Sequence, residues 1–317
     1  TGSTNEDNHS SATEFHLLGF PGSQGLHHIL FAIFFFFYLV TLMGNTVIIV
    51  IVCVDKRLQS PMYFFLSHLS TLEILVTTII VPMMLWGLLF LGCRQYLSLH
   101  VSLNFSCGTM EFALLGVMAV DRYVAVCNPL RYNIIMNSST CIWVVIVSWV
   151  FGFLSEIWPI YATFQFTFRK SNSLDHFYCD RGQLLKLSCD NTLLTEFILF
   201  LMAVFILIGS LIPTIVSYTY IISTILKIPS ASGRRKAFST FASHFTCVVI
   251  GYGSCLFLYV KPKQTQGVEY NKIVSLLVSV LTPFLNPFIF TLRNDKVKEA
   301  LRDGMKRCCQ LLKDLEG

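Results

Sequence analysis

The chain predicts an all-α membrane protein, a seven-transmembrane helix bundle, and three observations carry that reading. Seven long apolar stretches divide its 317 residues, each near the roughly 20 residues a helix needs to cross a bilayer. The composition is 54% hydrophobic and only 13% charged, with a mean hydropathy of +0.64; a soluble domain carries roughly a quarter charged residues. A charged pair, Asp121–Arg122, closes the third stretch within Met118–Tyr123 (MAVDRY), marking a switch site at a membrane boundary.

The spans fall at 29–54, 61–85, 96–120, 141–160, 197–226, 238–260 and 273–292. The first holds no charge between His28 and Asp55 and opens on an aromatic block, Phe31–Tyr38 (FAIFFFFY). The second carries Glu73 and the third Glu111, while Pro283 and Pro287 interrupt the seventh. The longest connection, 161–196, is polar and holds two cysteines, and none is long enough for a separate soluble domain. The expected organisation is an outer tail over 1–28, one membrane domain over 29–292, and a cytoplasmic tail over 293–317. No internal repeat is visible, which weakens a transporter built from inverted halves.

Charge placement sets the orientation. With the amino terminus outside, the inner side holds 15 of the 23 Lys and Arg residues, and none of the other 8 lies in the first 55 residues. The positive-inside rule then places the carboxyl terminus in the cytoplasm, as an odd number of spans requires. The net charge of +5 is therefore membrane-related and not a nucleic-acid signature. The first 25 residues are polar, with no basic segment ahead of an apolar core, so no cleavable signal peptide is expected. Asn8-His9-Ser10 is a glycosylation sequon on the outer side. Sequons at Asn104 and Asn137 fall in a span and on the inner side, and are discarded.

Five segments resemble the signature of vertebrate olfactory receptors, a branch of the rhodopsin-like G-protein-coupled receptors. They are Pro61–Ser67 (PMYFFLS), Met118–Tyr132 (MAVDRYVAVCNPLRY), Ser217-Tyr218, Lys236–His244 (KAFSTFASH) and Pro283–Asn294 (PFLNPFIFTLRN). They occur in the family's order and span essentially the whole chain, and the finer likeness is to the family-9 group. The resemblance implies a small-molecule odorant as ligand, a stimulatory olfactory G protein as partner, and cyclic AMP as output. It implies no cofactor, no nucleic acid and no catalysis, in a multi-pass plasma-membrane protein. An odorant would stabilise an outward-moved sixth helix and open an inner cleft for the G protein.

Residues and resemblance together assign the switch. Arg122 can pair with Asp121 or be released to a partner; on spacing alone, an Arg snorkelling to the headgroups is the simpler reading. The resemblance makes Asp121, Arg122, Tyr123 and Pro129 part of the G-protein-contacting inner loop, with Tyr218 as the target of an Arg122 swing. Lys236 and His244 open the sixth-span hinge, where Phe241 replaces the family's usual Cys. Asn286-Pro287 forms the seventh-span hinge, because proline removes a backbone donor and clashes with the preceding turn; Phe290 stands where the family usually has Tyr. Asn45, Glu73 and Glu111, with Asn286, are buried polar groups, costly in a membrane and functional by default. They can share a proton, bind sodium or rest neutral.

By resemblance the odorant pocket lies in the outer half of the bundle, at Phe105, Gly108, Thr109, Met202, Ala203, Ile206, Tyr252, Leu256, Tyr259, Leu276 and Ser279. Mostly apolar with a few hydroxyls, it suits a small hydrophobic molecule with one hydrogen-bonding group. Ordinary interhelical packing accounts equally for several of these positions.

Cysteine usage departs from the family. The outer end of span three, Tyr96–His100, lacks the usual bridge cysteine, and the span reads a few residues short upstream of Gly108. Cys179 is left to pair with Cys93 or with Cys189. Cys107 lies about 22 Å along the helix from Arg122, too deep to serve. A decayed, poorly folding product is therefore the competing reading. In the tail, basic residues interleave with Val297, Leu301 and Met305 as in a short amphipathic helix along the inner membrane surface, with Cys308 and Cys309 placed for palmitoylation. An intramembrane enzyme would need paired acids or a nucleophile with a base, and none is seen. A channel or transporter would leave Asp121-Arg122-Tyr123 and Asn286-Pro287 unexplained.

An amino-terminal tag on the chain should be stained by antibody on intact, non-permeabilised cells. Staining only after permeabilisation, with a related receptor at the surface as control, would reverse the orientation or reveal retention.

Overall fold

A computed structural model describes residues 16–17, 24–89, 97–166, 173–174, 185, 188, 190–259, 280–293 and 295–316. The apolar stretches become helices: α1 (Gln24–Val54), α2 (Pro61–Leu89), α3 (Leu97–Cys127), α5 (Ser138–Ser155), α6 (Ile157–Phe164), α7 (Leu193–Leu226), α8 (Ala231–Tyr259) and α9 (Thr282–Arg293). The one-turn α4 (Tyr132–Ile135) lies between α3 and α5, and α10 (Asp295–Glu316) follows α9. The strands described are two-residue segments, His16–Leu17 and Ser173–Leu174, paired in parallel between the amino-terminal tail and the long loop.

The helices bury the wrong face for water. In α7 the buried positions include Ser210, Thr214 and Ser217, while Phe205 (71% exposed) and Leu193 (71%) point outward. Ser210 and Thr214 donate to carbonyls of their own helix, Ile206 O at 2.9 Å and Ser210 O at 2.7 Å, so their hydroxyls need no outside partner. α1 likewise buries only Phe34, Thr41, Asn45 and Ile48 along one stripe. Small and polar inside, large and apolar outside, is the pattern for helices solvated by lipid. Among the described residues, five segments are long and apolar enough to span a bilayer: α1, α2, α3, the α5–α6 pair and α7.

α3 is central, packed against α2, α5 and α7, while α1 seats α2 on one side and α9 on the other. The main core joins Phe65, Leu66, Leu69 and Leu72 of α2 to Met110, Leu114 and Met118 of α3 and Ile221 of α7. A second cluster, Phe34, Val81, Met84, Leu85, Leu88 and Val280, joins α1 and α2 to the turn before α9. Two glycines permit close helix approach. A Cβ on Gly44 would lie 3.0 Å from the Pro287 Cβ, so its absence lets α1 and α9 meet at the proline. A Cβ on Gly152 would lie 2.4 Å from the Met110 side chain and 2.9 Å from the Ser106 carbonyl. Ser106 Oγ also donates to Gly152 O at 3.0 Å, tying α3 to α5.

Three sequence expectations are corrected. Span three runs further inward than expected: α3 begins at Leu97, within a residue of the predicted start, but continues past 120 to Cys127. Span four is two helices, broken at Glu156, whose side chain is buried beside the break. The sixth helix starts at Ala231, well before the apolar stretch, because the basic run Arg234–Lys236 is itself helical. Asn137, discarded as a sequon, caps α5 by accepting from Thr140 N at 2.8 Å. The tail helix forms as expected, with Val297 and Ala300 buried against the main core. Arg57 anchors it by bonding both Asp55 (2.7 Å) and Asp303 (2.9 Å).

Gly152→Ala should cost about 1–3 kcal/mol, because Met110 and α3 must both yield. Thermal unfolding of detergent-solubilised protein, read by a thiol dye reaching buried Cys107, Cys141 and Cys247, should show a lower midpoint. Gly209→Ala, where a new Cβ meets nothing within 4 Å, should leave it unchanged. Equal midpoints for both would refute the close α3–α5 contact.

Candidate functional site

Polar side chains gather at two levels of the bundle. At the first, Asn286 of α9 donates from Nδ2 to Glu73 Oε1 of α2, and both residues are buried. Asn45 of α1, fully buried, donates to Thr41 O at 3.1 Å and to Pro283 O at 3.5 Å. The second bond rests on the seventh-helix proline architecture: a π turn at 280–281 precedes α9, and Pro287 sits within it. Asn45 Oδ1, Glu73 Oε2 and Asn286 Oδ1 have no hydrogen-bond donor among the described residues. Glu111 of α3 lies within electrostatic reach of Glu73, part-accessible from the interhelical space yet deep in the protein. Three acceptor oxygens and a second carboxylate thus share one buried region. Leaving such acceptors unpaired costs about 1–3 kcal/mol each. All four sequence-predicted polar residues belong to this region.

At the second level, Asp121 is completely buried and both its oxygens are engaged. Arg122 donates to Oδ2 from Nε at 3.0 Å and also from Nη2, and the Tyr132 hydroxyl donates to Oδ1 at 2.8 Å. Burial, with the charge and hydrogen bond of Asp121 behind it, holds the Tyr132 phenol above the ordinary tyrosine value. The phenol therefore stays a donor at physiological pH. Tyr123 packs on Tyr220 with ring centroids 5.6 Å apart, and Cys127 Sγ shares a hydrogen bond with Thr224 Oγ1 at 3.2 Å, so the same end of α3 is fastened to α7. Tyr218 is buried edge-on against Phe245 of α8 at 5.6 Å. Pro129 opens a 3-10 turn on the surface, and the next residue, Leu130, is 96% exposed.

Sequence reasoning missed Tyr132, Tyr220 and Thr224 as partners of this end of α3. Tyr132 was within reach, since it ends the same fifteen-residue motif, but only the return of α4 toward α3 shows that it bonds Asp121. Lys236 and His244 lie on α8, where the helix backbone is described but not their side chains.

The predicted ligand residues are less concentrated. Phe105, Gly108 and Thr109 are on α3, Met202, Ala203 and Ile206 on α7, and Tyr252, packed on Phe112 at 5.1 Å, on α8. Thr109 and Ile206 also edge a cavity of about 440 Å³ between α3, α5 and α7 that opens sideways. The side chains of Leu256 and Tyr259, together with Leu276, Ser279, Cys93, Cys179, Cys189 and Asn8, lie outside the described residues. Cys309 is exposed on α10, and for Cys308 only the helix backbone is described. Among the described residues no group of His, Cys, Asp and Glu could hold a metal ion in the manner of a metalloprotein.

A lipid-solvated helix bundle with an acid–amide cluster in its core and an Asp–Arg–Tyr lock at one helix end is the frame of a G-protein-coupled receptor. A family model described as olfactory receptor matches residues 34–307. Human olfactory receptor 9A4 is 79% identical over 311 residues, covering 97% of this chain and 99% of the relative. Human olfactory receptor 9A1 is 75% identical over 312 residues, with the same coverage, and human olfactory receptor 6S1 is 44% identical over 309 residues. The chain belongs to the olfactory receptor family, and its likeness to two family-9 members supports that placement. Its class is that of seven-transmembrane, multi-pass membrane receptors for odorants that signal through G proteins, and it is not an enzyme.

Tyr132→Phe should loosen the lock, since a hydrogen bond to a charged group contributes about 1.5–3 kcal/mol. Basal cyclic AMP at matched surface expression should rise. An unchanged basal level would remove Tyr132 from the switch.

Proposed function

We propose that this receptor binds a small, largely hydrophobic odorant in the half of the bundle away from Asp121 and answers by releasing Arg122 toward a stimulatory olfactory G protein. The observation that carries the reading is the buried Asp121, held by Arg122 and Tyr132, with the exposed Leu130 two residues before Tyr132. A fully exposed large apolar residue next to a switch is a docking knob for a partner. The lock is the resting arrangement. Outward motion of α8, which Tyr218 and Phe245 now brace against α7, opens the cleft that Arg122 enters.

The odorant residues remain those named from resemblance: Phe105, Gly108, Thr109, Met202, Ala203, Ile206, Tyr252, Leu256, Tyr259, Leu276 and Ser279. Near Phe112 and Tyr252 the described lining is aromatic, which favours an apolar body with one hydroxyl or carbonyl group. In this reading the amino-terminal tail with Asn8 is extracellular, α10 lies along the cytoplasmic leaflet, and Cys308 and Cys309 can anchor it. Glu73, Asn45, Asn286 and Glu111 form a cation or proton site. Their orphaned acceptors fit a small hard cation, which takes oxygen ligands, and a proton on Glu73 would satisfy one of them.

The test is an odorant screen read by cyclic AMP in cells expressing the intact receptor. An activating odorant should lose about tenfold in potency in Thr109→Val or Tyr252→Phe. Leu130→Asp should cut the maximal response without moving potency. The same assay with sodium replaced by choline reads the core site: a raised basal signal that Glu73→Gln abolishes supports sodium, and a signal that follows pH alone supports the proton. A receptor at the cell surface that drives no cyclic AMP with any odorant would refute the reading.

A further inference from the structure

The 440 Å³ cavity between α3, α5 and α7 shares only Thr109 and Ile206 with the proposed odorant residues, and the rest of its lining extends away from them along α3. It runs along α3 from Thr109 to Val120, with Val144 of α5 on one wall, Gly209 and Pro213 of α7 on the other, and Met136 at its end. Its mouth opens on the surface where Phe205, Ile208, Val147 and Phe151 are exposed, the apolar face that meets lipid. Ser210, the polar residue on the α7 wall, spends its hydroxyl on Ile206 O and Leu207 O of its own helix. Apart from Thr109, Thr140, Cys141 and Ser210 the lining is apolar, so the walls suit an apolar occupant that arrives from the bilayer.

Shape narrows the choice. Eleven residues of helix make it about 16 Å long, an elongated lateral groove suited to an extended hydrocarbon chain lying along α3. The inner end also has a suitable head-group neighbour. Met136 lies five residues after Arg131, which is exposed in the same short connection and can meet a lipid phosphate.

We propose that this groove is a binding site for one acyl chain of a phospholipid from the leaflet that borders Arg131. Gly209 lines the groove at its exposed edge, and a Cβ there meets nothing within 4 Å, so a larger side chain can be placed at the mouth without clashing with the helices. The chain also touches Val120, next to Asp121, and Met136, four residues past Tyr132. Occupancy therefore braces both segments of the lock, a consequence that rests on the switch read above, whereas the site itself does not.

The test uses the full receptor in cells whose phospholipids carry a diazirine-bearing acyl chain, with cross-linked peptides mapped by mass spectrometry. Labelling should concentrate on Val144 and Gly209 over Ile212 and Ile215, which are exposed on α7 outside the groove. Gly209→Leu should cut the groove labelling by about tenfold, as an overfilled site costs the occupant its place. Val144→Phe, on the opposite wall, should do the same, so that one poorly expressed variant leaves the other decisive. Even labelling along α7, unmoved by either variant at normal surface levels, would reduce the groove to ordinary boundary lipid. Labelling by a photoreactive sterol in place of the acyl probe would overturn the occupant.

Discussion

Hydrocarbon cannot hydrogen-bond, and that constraint organises the whole molecule. Each polar side chain in a span must satisfy itself on its own helix or turn toward a neighbouring helix. Ser210, Thr214 and Thr77 take the first course, each donating to a carbonyl three or four residues back. Asn45 does so only in part, through Thr41 O, and Asn45, Glu73 and Asn286 also bond between helices, so α1, α2 and α9 are drawn together around them. Gly44 then becomes necessary, since any larger residue would hold α1 away from Pro287. Packing in this receptor is the consequence of where its polar atoms must go.

That constraint also explains how much was legible beforehand. Span positions came directly from apolar run length, and the burial of Asn45, Glu73 and Asn286 followed from the cost of polar groups in lipid, while Glu111 is only partly buried. The helix ends were less legible, because a helix can continue past its apolar part: α8 extends over Arg234–Lys236 and α7 begins at Leu193. α3 likewise continues past its predicted inner end at 120, through the charged Asp121–Arg122 pair, to Cys127. Glu156 hid its role because it adjoins a break in the helix and not a long apolar run.

The partners of Asp121 show the other limit. Periodicity identifies faces of one helix, but the Tyr132 bond depends on how a four-residue turn folds back, and spacing along the chain does not encode that return. The lateral groove was illegible for a related reason. It is defined by what α3, α5 and α7 fail to fill between them, and Gly116, Gly209 and Ala113 carry no signature as isolated small residues.

Asp121 and Arg122 are neighbours on α3, so their pair cannot be broken by sliding one helix past another. What can change is the environment that makes the pair favourable. A buried carboxylate requires its full set of donors, and losing one exposes the cost of its burial. Tyr132 supplies the donor that α3 does not. The loop segment carrying Tyr132 is flanked by exposed Leu130 and by Met136 at the groove. On the proposed reading, a G protein engaging Leu130 would draw on this segment from outside and a lipid in the groove would brace it from within. The balance between them would set how readily Arg122 is freed, which would place the switch as much in this short connection as in the helix that bears its charged residues.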